Sequence, residues 1–241
     1  MREQSKNFLA KNGFVIIENI YSGNEIAQII DLVNQADDSN VAFRKSENLF
    51  AIRKFLREIP SVAEIVFNEK ILSVISDFLG ENYFVVKSIY FDKPEQSNWF
   101  VSYHQDLTIS VDKKVDLEHF SKWTIKENQF AVQPPIDILK NIFTIRIHLD
   151  DTNENNGALK VIPGSHLQNI IRPENIGGTK ETETTCSVQK GGIMIMSPLL
   201  LHSSSKTNNN NQRRVIHIEF SNQELPTEIK WSERMEINSD R

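Results

Sequence analysis

Residues 143–151 read FTIRIHLDD, the most informative alternation in the chain. Successive side chains on a strand point to opposite faces. Ile145, Ile147 and Leu149 therefore share one face, and Thr144, Arg146, His148 and Asp150 share the other. Residues 213–220, RRVIHIEF, repeat the pattern, with Ile216, Ile218 and Phe220 opposite Arg213, Val215, His217 and Glu219. An antiparallel sheet with its polar face in water is the ordinary way to satisfy such a pattern. Two features argue for another arrangement. Both strands combine Arg with His on the polar face, and the N-terminal part of the chain supplies helices that need an apolar sheet face to cover. A sheet packed outside by helices and lined inside by Arg and His describes a barrel-like sandwich with a polar, functional lumen.

Working outward, an amphipathic opening segment ends at Gly13, and FVIIENI (14–20) predicts a short buried strand from its β-branched and aromatic content. Ser22 offers a cap for a helix over NEIAQIIDLVNQADD (24–38), in which Ile26, Ile29, Ile30 and Val33 form one stripe. A second helix, EKILSVISDFLG (69–80), is capped by Asn68 and stopped by Gly80. From about residue 83 the chain changes to short alternating runs separated by turn clusters such as KPEQSN, NENNG, PGSH and TNNNN, which is all-β punctuation. These patterns predict one domain over 1–241, helices first and a β-rich core after them. IGGTKETETTC (176–186) is expected as a mobile loop and NNNNQ (208–212) as a hairpin tip. The long segment 107–141 carries Trp123, Phe130 and Gln133, apolar enough to fold over a pocket as a lid.

With 241 residues, 39% of them hydrophobic and 24% charged, the composition is that of a globular protein with a full core. The net charge of −5, with Lys and Arg scattered, argues against a nucleic-acid partner. No window approaches the ~20 apolar residues of a membrane span, and the N-terminus lacks the apolar run of a signal peptide. The single cysteine, Cys186, cannot form an internal disulfide and is expected as a small semi-buried side chain. A soluble cytoplasmic protein without nucleic-acid or membrane partners is the expectation; the sequence leaves its oligomeric state open.

In YHQDLTIS (103–110), His104 and Asp106 stand two apart, so on a strand an imidazole and a carboxylate grip one ion from the same face. Such a pair is weak evidence alone and needs a third ligand. His202, where the apolar run PLLL meets small residues in MSPLLLHSSS, is the best candidate. Two His and one carboxylate on one face of an octahedral ion leave three positions open, as in non-haem Fe(II) oxygenases. Zinc is more often tetrahedral, and no HExxH or second carboxylate points to hydrolysis. Eleven residues after His202, at the start of the next alternating strand beyond a hairpin loop, stands Arg213. Its guanidinium fork suits a carboxylate, such as the far end of 2-oxoglutarate. The plainer alternative, a surface Arg paired with a neighbouring acid, suits Arg214.

With His104, Asp106, His202 and Arg213 assembled, the chain resembles the phytanoyl-CoA dioxygenase family of Fe(II)/2-oxoglutarate-dependent oxygenases. The likeness runs from about Asn12 to Trp231 and is carried by YHQDL, HLDDTNENNGALKVIPGSH and PLLLHSSSKTNNNNQRRVIHIEF, in that order. It implies a double-stranded β-helix, also called a jelly roll or cupin-like barrel. His104, Asp106 and His202 would hold Fe(II), and Arg213 would anchor 2-oxoglutarate. Ser204, Lys87, Thr144 and Arg146 would line the cosubstrate or substrate pocket, although some relatives carry Trp or an apolar residue at the position of Arg146. The implied reaction consumes O2 and 2-oxoglutarate, releases succinate and CO2 and hydroxylates a small molecule, with ascorbate as a supporting reductant. An intact Asp106 favours hydroxylation over the chlorination of relatives that lack this carboxylate. His148, His217 and Trp123, with Arg146, hint at a polar, even anionic, small substrate. Two rivals remain at this point: a non-catalytic cupin-like module that binds metal or ligand, and a hydrolase or isomerase using another divalent metal.

Overall fold

The computed structural model describes residues 2–36, 42–46, 49–95, 97, 99–126, 129–172 and 182–237. Helix α1 (Arg2–Asn12) turns through Gly13 into β1 (Phe14–Ile17). Helix α2 (Gly23–Asn34) begins with a capping box: Ser22 Oγ accepts from Glu25 N, and the Glu25 carboxylate accepts from Ser22 N at 2.7 Å. The pair β2 (Phe43–Ser46) and β3 (Leu49–Arg53) precedes the short helices α3 (Phe55–Glu58) and α4 (Ala63–Val66). Helix α5 (Glu69–Phe78) is capped by Asn68, whose side chain accepts from Ile71 N, and it ends before Gly80 at φ +100°. The remainder is β4 (Phe84–Lys93), β5 (Val101–His104), β6 (Ile109–Val111), β7 (Ser121–Lys126), β8 (Gln129–Gln133), α6 (Ile136–Lys140), β9 (Ile142–His148), β10 (Leu159–Val161), β11 (Thr184–Cys186), β12 (Ile193–Met196), β13 (His202–Ser204), β14 (Arg213–Ser221) and β15 (Met235–Glu236).

A major sheet runs β1-β12-β9-β14-β4-β3-β2, with β15 attached to β4, and faces a four-stranded minor sheet, β11-β10-β13-β5. All the pairings described are antiparallel. This is the helix-flanked, barrel-like sandwich that the alternation implies, in the jelly-roll form that the family resemblance implies. Ile145, Ile147, Leu149, Ile216, Ile218 and Phe220 are all buried against Ile26, Ile29 and Val33 of α2 and Ile71 and Ile75 of α5. Each such side chain removed from water contributes roughly 1.5–3 kcal/mol, so the outer face fixes which face is left for the lumen. Ile30, on the predicted stripe, is only partly buried. Among the described residues no helix is long and apolar enough to cross a membrane.

Several expectations need correction. The strand expected at 14–20 is β1 and pairs with β12, but strands do not otherwise wait until residue 83: β2 and β3 also precede it, and β3 pairs with β4 in the major sheet. Segment 107–141 holds a third sheet, β6-β8-β7, whose Ile109, Val111 and Val132 are buried with Trp231, Leu139 and Ile142. The connection from His202 to Arg213 is not a hairpin, because β13 and β14 belong to different sheets. Within the expected loop 176–186, residues 176–181 lie outside the described residues, and Thr184–Cys186 is a strand. Cys186 is fully rather than partly buried, inside a cluster with Leu159, Val161 and Met194.

Candidate metal centre

His104 closes β5 and faces His202 at the start of β13, directly opposite it in the ladder. Asp106 lies past the end of β5 rather than on it, and its N–H donates to Pro198 O at 2.9 Å, which turns the carboxylate toward both rings. Asp106 Oδ1 is 3.8 Å from His104 Nε2, and Oδ2 is 3.7 Å from His202 Nε2. One ligand atom from each residue lies within 4.8 Å of the others, so the three could hold one ion. The imidazoles are oriented from behind: Nδ1 of His104 meets Ser102 O at 2.9 Å and Nδ1 of His202 meets Leu200 O at 2.8 Å. A carbonyl accepts only from Nδ1–H, so each Nε2 keeps its lone pair for a metal. Burial, with the nearby His104 and Arg146, pushes the His202 imidazole down to about 4, against the pull of Asp106, and keeps it neutral at pH 7. Burial disfavours the Asp106 charge, but His202, His217, Lys87 and His104 outweigh it and hold the carboxyl at about 2. Two imidazoles with Nε2 turned inward and one ionised carboxylate on one side of a cavity fit a divalent ion with open positions.

The cavity in front of them has a volume of about 250 Å³. Its far wall is the polar face of the major sheet. Arg213, on β14, is 3% exposed, and among the described residues its Nε and Nη1 have no hydrogen-bond partner. Burial, reinforced by Arg146, lowers its pKa to about 9, still charged at pH 7. Arg146, on β9, is 8% exposed; its Nη1 donates to His217 Nδ1 at 3.2 Å, and its Nε has no partner among the described residues. Since Arg only donates, His217 carries its proton on Nε2, which donates to Glu219 Oε1 at 3.2 Å. Lys87 Nζ donates to the same oxygen at 2.8 Å. Ser204, also on the wall, donates from Oγ to Gly157 O at 3.1 Å.

Other expected residues stand elsewhere. Trp123 packs partly buried against the cluster of the third sheet and does not line the cavity, a correction that follows from its segment forming a sheet with its own core. Thr144 and His148 are buried on the inner face of β9 but are not on the cavity wall. Thr144 Oγ1 has no hydrogen-bond partner among the described residues. His148 Nδ1 meets Thr152 Oγ1 at 2.8 Å, its Nε2 has no hydrogen-bond partner among the described residues, and burial with Arg146 and Arg213 keeps the ring neutral. Arg214 pairs with Asp150 at 2.6 Å on the outside, as its neighbourhood suggested. Ile89, Phe91, Trp99 and Glu219 also form the wall. Lys93 lies fully buried behind it, beside Arg213, with Nζ donating to Ser205 O and 5.7 Å from the Trp99 ring centroid. The signal for these was the alternation Lys87, Ile89, Phe91, Lys93 along one face of β4.

The fold and site define a double-stranded β-helix carrying two histidines and one carboxylate at its mouth. The family model of phytanoyl-CoA dioxygenase (PhyH) matches residues 9–215. The chain belongs to that family. It is 27% identical over 190 residues to a probable alpha-ketoglutarate-dependent hypophosphite dioxygenase of Stutzerimonas stutzeri, covering 72% of this chain and 56% of that protein. Over 199 residues it is 22% identical to an ectoine dioxygenase of Bordetella bronchiseptica, covering 79% of this chain and 57% of the relative. The chain thus spans a little over half the length of these curated relatives. In three dimensions it resembles EctD from S. alaskensis with bound Fe, with a TM-score of 0.70 at 16% identity, over 90% of this chain and 75% of that one.

Proposed function

We propose that the protein is an Fe(II)- and 2-oxoglutarate-dependent dioxygenase that hydroxylates a small molecule. One observation carries this: His104, Asp106 and His202 converge on one side of a cavity whose opposite wall presents a buried guanidinium, Arg213, with unpartnered N–H groups. A metal-binding module alone has no use for a buried, unmatched anion receptor across from its metal. The names of the curated relatives, a hypophosphite dioxygenase and an ectoine dioxygenase, agree with a small-molecule substrate.

In this assignment His104, Asp106 and His202 hold Fe(II), which with O2 and 2-oxoglutarate supplies the oxidising power while the cosubstrate becomes succinate and CO2. Arg213 and the Ser204 hydroxyl receive the far carboxylate of 2-oxoglutarate and fix its direction. Wall residues Ile89, Phe91 and Trp99 keep water from the reacting centre. The backbone carbonyls behind His104 and His202 hold their protons on Nδ1 and leave each Nε2 facing the site. We also read the chain as one domain, because β1–β3 are built into the same sheet as β4, β9, β12 and β14. A cytoplasmic setting is the companion reading, supported by the lone buried thiol of Cys186.

The test is succinate formation from 2-oxoglutarate with Fe(II) and ascorbate under air, using hypophosphite and ectoine as the first two substrates, with Arg213→Ala as control. Succinate that depends on Arg213 is expected. Metal uptake without 2-oxoglutarate binding would sink the dioxygenase assignment in favour of a binding module.

A further inference from the structure

With Lys93 set behind the wall and donating to Ser205 O, the cavity wall itself presents one more buried cation than the proposed chemistry uses. Lys87 is matched by Glu219 at 2.8 Å. Asp106 offsets one of the two charges of a divalent metal. A dianionic cosubstrate offsets the other and Arg213. Arg146 is left over: among the described residues it makes no ion pair, its one hydrogen-bond partner is Nδ1 of His217, and its Nε has none. It is also rigidly placed, since β9 is held on both sides, by Met194 of β12 and His217 of β14 in register with Arg146. A buried guanidinium that folding leaves unmatched is costly unless a ligand completes it.

Resting on the dioxygenase reading, we infer that Arg146 receives a negatively charged group of the substrate, and that the substrate is a small anion. Size points the same way. The cavity of about 250 Å³ lies below the ~300–1,000 Å³ usual for drug-sized ligands, and the cosubstrate fills part of it. A carboxylate, phosphinate or phosphonate group would accept from the Arg146 fork at a point between the two walls. Lys87 is not an alternative receptor, because Glu219 already holds it.

Calorimetric titration under nitrogen tests this on the full chain loaded with Fe(II) and 2-oxoglutarate, with acetate and methylphosphonate as anionic probes and acetamide and dimethyl methylphosphonate as neutral isosteres. The wild type is expected to take up the anions and not the isosteres. Arg146→Gln is expected to weaken the anions by about tenfold or more while keeping its affinity for 2-oxoglutarate, and Arg146→Lys to restore part of the loss. Equal uptake of the isosteres, no uptake of either anion, or unchanged anion affinity in Arg146→Gln overturns the inference. Loss of 2-oxoglutarate itself in Arg146→Gln also overturns it, by giving Arg146 to the cosubstrate. A wild type that binds the metal but no 2-oxoglutarate fails the dioxygenase reading first. Should Arg146→Gln not fold, the contrast between anions and isosteres in the wild type and the behaviour of Arg146→Lys decide the matter.

Discussion

His104 and His202 sit directly across the β5–β13 ladder, with ring centroids 4.3 Å apart. Because both rings are held from behind by backbone carbonyls, neither can swing to replace the other or Asp106. His104→Ala, Asp106→Ala and His202→Ala should therefore each weaken metal binding by more than the ~10–100-fold that loss of an outer partner costs, and each should abolish turnover. Metal titration with Co(II) and a circular-dichroism spectrum separate this from unfolding. Full metal affinity in any one folded variant would remove that residue from the ligand set.

Gly157 has φ +82°, and a Cβ there would lie 2.7 Å from both Lys93 Nζ and Ser205 O. Gly157→Ala must strain the backbone and displace Lys93, which sits behind Arg213. A loss of about 2 kcal/mol in urea unfolding is expected, together with weaker 2-oxoglutarate binding. An unchanged denaturation midpoint would show that the turn relaxes without cost.

Glu233 is buried, with Oε2 accepting from Ser88 N at 2.8 Å and Oε1 against Ser88 Oγ. Burial raises its pKa from 4.5 to about 7, against the pull of Ser88, Arg57 and Lys54. Between these two values the unfolded chain releases the proton while the folded chain keeps it. Stability therefore falls as pH rises through this window and levels off above it, by on the order of 3 kcal/mol. Glu233→Gln should flatten this part of the curve, so that wild type and variant converge near pH 4.5 and separate by pH 8. Parallel pH profiles of unfolding free energy would refute the assignment.

Trp123 packs on the third sheet and away from the cavity. Trp123→Ala should cost about 2 kcal/mol of stability, below the ~3–5 of a fully buried Trp, and leave the affinity for metal and 2-oxoglutarate unchanged. A loss of cosubstrate affinity without loss of stability would return this residue to the pocket.

The barrel was legible because two strands carried opposite chemistry on their two faces, and the cluster of candidate ligands because His104, Asp106 and His202 sat in recognisable local contexts. What escaped depended on pairing rather than pattern. The strand at residues 49–53 is short and is ordered by β4, a partner more than thirty residues on, so no local period announces it. The sheet in segment 107–141 likewise gains its burial from Trp231, far along the chain. Trp123 was drawn toward the pocket because an aromatic in a long connection suits a lid equally well until its own partners are known.

The candidate metal ligands hang from the minor sheet, whereas both guanidiniums are carried by the major one. A molecule that touches metal and Arg213 at once acts as a staple between two separately built walls. Saturating it would tie the barrel halves together and raise the melting temperature of the whole chain by mass action, so occupancy of this small cavity would be felt as stiffness in helices that never approach it.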